Sequence, residues 1–201
     1  MVISGTWNST KAAVRTACAV AALLSISVVN ATEVEGHKFP ERVQLDGTEL
    51  VLNGAGVRIY SAFRVYVAAL YLPTRKGDGE AILRENQPSR VSLHFLRELT
   101  PEQITTSIND ALRDTLTTEQ RAPLERRLKE FGSILETLPV LKKGAQIVID
   151  YVPKAGTTIR VNGETKGSIP GADFNQALLR TWIGERPRDT RLKAAMLGVP
   201  L

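Results

Sequence analysis

"LNGAGVRIYSAFRVYVAALYLP", residues 52–73, sets one arginine, Arg58, just behind Gly54-Ala55-Gly56 and, past a second at Arg64, runs apolar at almost every position. Residues 63–73 lack the alternation of a strand with one wet face, and read instead as a strand covered on both sides. The preceding "VRIYSA" does alternate, which puts Val57 and Ile59 on one face and Arg58 and Tyr60 on the other. Gly54 and Gly56 permit a sharp bend before it. A doubly covered strand needs neighbours, and the flanking sequence supplies them. Upstream, "RVQLDGTELVLN" holds Asp46-Gly47 between two alternating runs, a strong hairpin signal. Downstream, "RVSLHFLREL" is another strand beyond a loop near "TRKGDGE". Arg58 is then either a plain surface residue on a strand or the anchor of something acidic inside an apolar cleft.

The middle of the chain turns helical. Thr100-Pro101-Glu102-Gln103 combines a capping threonine, a proline at the first helical position and a glutamine three residues past the cap. Ile104, Ile108, Ala111 and Leu112 follow at helical spacing. A second helix is expected from about Glu119, with Leu124, Leu128, Phe131 and Leu135 on one stripe. "AQIVIDYV" and "TTIRVNGETKGSI" return to strand, the latter closed into a hairpin at Asn162-Gly163. Asp173 is expected to cap a helix running to about Ile183, and a final short helix to start near Pro187 and stop at Gly198. Strands, two helices, strands, two helices predict an α+β layout, a mostly antiparallel sheet with helices gathered on one face.

Residues 1–31 differ from the rest. Lys11 and Arg15 precede the apolar core "ACAVAALLSISVV", and Val29-Asn30-Ala31 places small residues where a signal peptidase reads. The core falls short of the ~20 residues a membrane-spanning helix needs. Cys18 lies at the front of that core, not at its end where a lipid-bearing cysteine belongs. The segment reads as a cleaved export signal, with cleavage before Thr32 and a single domain over 32–201, periplasmic or otherwise exported and with no transmembrane segment left. Of the 26 basic residues, Lys11 and Arg15 leave with the signal, so against 21 acidic residues the mature chain is only mildly basic. Basic clusters such as "RAPLERRLK" interleave acids at helical spacing, the pattern of a solvated face and not of a nucleic-acid footprint.

Several chemistries have no anchor. Cys18 is the one cysteine, so thiol catalysis is excluded from the mature chain. No phosphate loop, dinucleotide fingerprint or nucleophile elbow is present. His37 and His94 are the only histidines, far apart in sequence, so no metal is expected. His94 reads as a hydrogen-bonded packing residue, with an axial haem ligand as the alternative. No cofactor is expected.

"LNGAGVR", "VYVAALYLP", "FLREL", "YVP", "NG", "IPGADFNQALLRTWIGERP" and "RLKAAMLG", in that order, resemble the bacterial chalcone isomerase-like family over residues 34–199. The resemblance implies an open-faced β-sandwich in which a large sheet and a helical layer enclose a cleft. It also implies site positions. Arg58 matches the arginine that follows a glycine-rich turn in the plant chalcone isomerases, and Thr181 of "RTWIGE" matches their late threonine. Tyr66 stands where those enzymes have threonine, Gln103 where they have tyrosine, and Asp110 where they have asparagine. If the chain is an enzyme, an intramolecular lyase or isomerase closing an enone-like substrate, Arg58, Thr181 and Tyr66 are its catalytic candidates.

The departures weigh against that chemistry. Cyclisation requires a held phenolate and hydrogen bonds to a developing enolate. Tyr66 fills space that a threonine leaves open, and an ionised Asp110 repels the negative charge. Relatives in the wider fold include fatty-acid-binding proteins that hold a carboxylate with the same arginine. The leading expectation is therefore a non-catalytic protein that binds an apolar acid or lipid, such as a fatty acid, through Arg58, Tyr66, Gln103, Asp110 and Thr181. An interaction module with a vestigial cleft is the third reading.

Overall fold

The structure is a computed structural model that describes residues 1–2 and 31–200. The body of the export signal read over residues 1–31 lies outside the described residues. A long antiparallel meander dominates. Strands β3 (Arg42–Leu45), β4 (Thr48–Tyr60), β5 (Phe63–Leu72), β6 (Ser89–Phe95), β7 (Gln146–Val152), β8 (Gly156–Val161) and β9 (Glu164–Ile169) pair in chain order into one sheet. Both turn signals hold. Asp46 and Gly47 sit at φ 48° and 76°, Asn162 and Gly163 at 49° and 86°, the left-handed pair that a tight hairpin turn requires. A hairpin of β1 (Ala31–Val34) and β2 (His37–Pro40), not anticipated from the sequence, forms a second small sheet.

Strand β5 is covered on both faces, as its composition predicts. Ala68, Leu70 and Leu72 join the main core, whereas Val67, Ala69 and Tyr71 join a second cluster with Phe39, Leu45, Leu50 and Leu52 on the opposite face. The main core lies under the helices α1 (Gly79–Arg84), α2 (Pro101–Thr115), α3 (Thr118–Arg121), α4 (Glu125–Glu136), α5 (Ala172–Ile183) and α6 (Thr190–Met196). Thr100 caps α2 with the reciprocal Gln103 contact that its sequence predicts.

Four expectations need correction. The loop near "TRKGDGE" holds a helix, α1, whose N-terminal amides bond the Asp78 side chain. The helix expected from Glu119 starts at Thr118 and is broken by a 3₁₀ turn at Ala122–Leu124, because Pro123 has no N–H to continue the ladder. Gly171, not Asp173, occupies the cap of α5, and the Asp173 carboxylate instead grips Arg127 at 2.5 and 2.6 Å. That guanidinium holds the Asp173 carboxyl below its usual range. Helix α6 begins at Thr190, three residues after Pro187, with Asp189 as its cap.

The bend expected at Gly54 and Gly56 is also absent. Strand β4 runs unbroken from Thr48 to Tyr60, with bulges between Leu52 and Gly54 and between Arg58 and Ile59. The glycines serve a close approach instead. A Cβ on Gly54 would lie 2.1 Å from the Ala195 carbonyl oxygen, and one on Gly56 would lie 2.5 Å from the Ala195 Cβ, so α6 rests directly on the β4 backbone. Gly54→Ala must push α6 outward and is expected to cost about 1–3 kcal/mol, the usual price of overpacking. Urea denaturation checks this; an unchanged midpoint would mean that α6 yields freely.

His94 faces the small hairpin, where its ring lies 4.9 Å from that of His37 and 5.1 Å from that of Phe39. Its Nε2 lies 3.1 Å from the Gln146 amide nitrogen. Burial, and then the neighbouring His37, hold its pKa below the ordinary 6.5. The unfolded chain therefore takes up this proton before the folded one does. The contribution to stability is complete above the unfolded value and is lost as pH falls from there through the lower folded value. Tm is expected to decline as pH falls below the ordinary histidine value of about 6.5, with the decline flattened in His94→Gln. An identical slope in that variant would place the titration elsewhere.

Candidate functional site

Arg58 sits near the end of β4, directly across from Tyr66 on β5. Strand alternation puts Arg58 on the same face as Gly54 and Gly56, the face on which α6 rests. Its side chain is 15% exposed, and its Nη1 donates to the Ile59 carbonyl at 2.8 Å and to Asp189 Oδ2 at 3.0 Å. Among the described residues, no protein acceptor meets Nε or Nη2. Asp189 is fully engaged: Oδ2 also accepts from the Ile59 amide at 3.2 Å, and Oδ1 caps α6 by accepting from the Leu192 amide at 3.0 Å. Burial pushes the Asp189 carboxyl up, but those amides and the Arg58 guanidinium outweigh it and hold the pKa below its ordinary value.

Tyr66 stands beside this pair. Its hydroxyl accepts from the Trp182 indole N–H at 3.0 Å, and its ring meets Phe95 edge-on at 5.9 Å. Burial raises the Tyr66 pKa, against the Trp182 hydrogen bond and the Arg58 charge, so the phenol stays protonated. Thr181 is buried in the last turn of α5, next to Trp182, and its hydroxyl donates to the Leu178 carbonyl at 2.7 Å.

Three spaces share Tyr66 and Ser107 in their walls. A small niche of about 40 Å³ is walled by Arg58, Tyr66, Thr181, Trp182 and Asp189. A mouth of about 510 Å³ opens to solvent past Arg58, Tyr60, Arg97, Gln103, Asp110 and Arg188. A narrow apolar chamber of about 80 Å³ runs inward between the sheet and α2 and α4, lined by side chains such as Leu93, Phe95, Ile104, Ile147 and Phe131. The mouth alone falls within the ~300–1,000 Å³ typical of small-molecule sites. A polar opening, a guanidinium and an apolar interior thus adjoin one another around Tyr66 and Ser107.

All five residues expected from the sequence border this cleft. Arg58, Tyr66 and Thr181 line the niche, and Gln103 and Asp110 line the mouth, two turns apart on α2. Two of them carry other duties. The Gln103 carbonyl oxygen accepts from the Thr100 amide in the helix cap, which leaves its NH₂ to face the opening. Asp110 accepts from Arg113 at 2.8 Å and lies 4.0 Å from Arg188. Sequence reasoning missed Asp189, whose signal was its place as an N-cap ahead of "TRLKAAM". It also missed Arg188, which pairs with Asp114 at 3.0 Å, and Arg97, which stacks over the Phe63 ring at 4.9 Å. Trp182 belongs to the main core and is also the hydrogen-bond partner of Tyr66.

Among the described residues, no group of three or more His, Cys, Asp or Glu is placed to hold a metal ion. Nor is any described helix long and apolar enough to cross a membrane. No curated protein matches the chain in sequence. Among solved structures, the chain resembles the crystal structure of a fatty-acid-binding protein of Arabidopsis thaliana, with a TM-score of 0.67 and 15% identity over 84% of this chain and 96% of that one. At that identity the likeness shows the fold: a mostly antiparallel sheet with a helical layer. A family profile described as chalcone isomerase-like matches residues 31–198, and the chain belongs to the chalcone isomerase-like family.

Proposed function

We propose that this chain is an exported, non-catalytic carrier of an apolar acid, a fatty acid in the first instance, with the carboxylate on Arg58 and the tail directed past Tyr66 into the apolar chamber. The observation that carries the reading is the state of Arg58. It is mostly buried at the boundary between a polar mouth and an apolar interior, and its Nε and Nη2 edge has no acceptor among the described residues. That edge is the fork that a carboxylate meets with two parallel hydrogen bonds. Each methylene buried inside adds about 0.8 kcal/mol. The Arabidopsis neighbour's description as a fatty-acid-binding protein supports the same ligand class. Export rests on the leader-like composition of residues 1–31.

The groups beside Arg58 suit holding better than turnover. The Thr181 proton is committed to the Leu178 carbonyl, and the Tyr66 oxygen to the Trp182 N–H. Asp110 brings a carboxylate to the mouth where a cyclising phenolate would have to sit. Native mass spectrometry on the purified protein, before and after addition of dodecanoate, tests the reading. A retained or acquired mass of one fatty acid is expected; a clean apo mass with no uptake would overturn it.

A further inference from the structure

Beside the cleft, the β4–β5 hairpin ends in an exposed apolar tip. Ile59, Tyr60 and Phe63 are 40%, 65% and 58% exposed, and the Tyr60–Phe63 pair closes the hairpin. Among the described residues from Ala31 on, Val140 and Val199 are the other large apolar side chains left open, and both lie far away in sequence. Arginines surround the tip. Arg97 stacks over Phe63 and, among the described residues, pairs with no carboxylate. Arg188 and Arg191 share a groove with Ile59 on the other side. Arg64 adjoins the tip and pairs with Glu35.

We propose that this tip docks the protein on an anionic phospholipid bilayer, with Ile59, Tyr60 and Phe63 in the acyl boundary and Arg97 and Arg191 among the headgroup phosphates. Three side chains are too few for a stable protein interface, which needs about 800 Å² per partner. They suit a membrane interface, where aromatic and aliphatic side chains insert and flanking guanidinium groups stay with the phosphates. The position completes the argument. Tyr60 lines the mouth of the cleft, so docking turns the opening and Arg58 towards the surface from which an apolar acid would enter or leave. That last step rests on the ligand reading above; the docking itself does not.

The test is flotation of the protein, produced from its own full-length sequence, with vesicles of phosphatidylglycerol and phosphatidylcholine or of phosphatidylcholine alone. Wild type and variants carry the same N-terminal segment, so the difference between them isolates the tip. The double variant Ile59→Ser, Phe63→Ser is expected to lose tenfold or more of its partitioning, and wild type to prefer the anionic vesicles with a preference that salt removes. Dodecanoate uptake in lipid-free solution should be equal in the two proteins, which separates failure of docking from failure of the ligand reading. Equal flotation of variant and wild type would overturn the proposal. So would a wild-type dimer in lipid-free sedimentation that the double variant abolishes, since the tip would then bind a second copy of the chain.

Discussion

Asp150→Ala is expected to lower the stability of the protein by roughly 3 kcal/mol, the low end of what removing one partner from a buried ion pair costs. Asp150 is 2% exposed on β7, on the sheet face away from the main helical core. Arg90 on β6 is its direct cross-strand partner and reaches both carboxylate oxygens, Nε to Oδ1 at 2.5 Å and Nη2 to Oδ2 at 3.0 Å. Arg160 on β8 bonds Oδ2 from the other side. One carboxylate thus holds two guanidinium groups across three central strands. Without it the arginines repel each other, and both have stems that cover the sheet. They are 17% and 30% exposed, so water relieves part of the penalty, which is why the low end of the range applies. For a domain of this size the loss corresponds to a fall in Tm of roughly 6–12 °C. Asp150→Asn should recover part of it through its one acceptor oxygen, and only part, because its NH₂ would face the second guanidinium. A Tm within 2 °C (roughly 0.5–1 kcal/mol) of wild type for the alanine variant would mean that the triad contributes little.

What the sequence discloses about this fold tracks how local each signal is. Asp46-Gly47 and Asn162-Gly163 are legible because two residues with left-handed backbones suffice to define a hairpin. Helix α2 is legible because its cap, proline and reciprocal glutamine lie within four positions. Helix α1 is too short to show a period, and its one signal, Asp78, sits in a stretch whose glycines read as loop. The glycines at 54 and 56 mislead for the opposite reason. Their cause is α6, which packs on them from the far end of the chain. The site divides along the same line. Arg58, Tyr66 and Thr181 emerge from the order of motifs, but spacing alone leaves Arg58 as readily on the surface as in a cleft. The contact that settles its surroundings is with Asp189, 131 residues away. No local pattern announces such a pairing; only the sheet and the seating of α6 bring it about.

That pairing produces the second large effect, a change of affinity with opposite signs at two neighbouring residues. Arg58→Ala removes the charge-assisted fork, worth about 1.5–3 kcal/mol, so dodecanoate should bind roughly 10- to 150-fold more weakly. Asp189→Asn removes a negative charge fixed beside the incoming carboxylate. At an effective dielectric near 20, a unit charge ~8–10 Å away costs about 2 kcal/mol before screening and about 1 kcal/mol or less after it, so affinity should rise by up to about fivefold. The gain comes with a loss of stability, because the amide cannot serve Leu192, Ile59 and Arg58 as the carboxylate does. Acid cannot mimic the substitution in binding, because the fatty acid is itself protonated before Asp189, whose pKa is held below the ordinary carboxylate range; what acid removes is the Asp189 contribution to stability, lost as pH falls through that lower value. Titration calorimetry on both variants at neutral pH separates the explanations. A vestigial cleft predicts no change in either. A site held together by apolar contact alone predicts equal, small losses in both. Only a carboxylate seated on Arg58, with Asp189 as its internal competitor, predicts weakening in the first and tightening in the second.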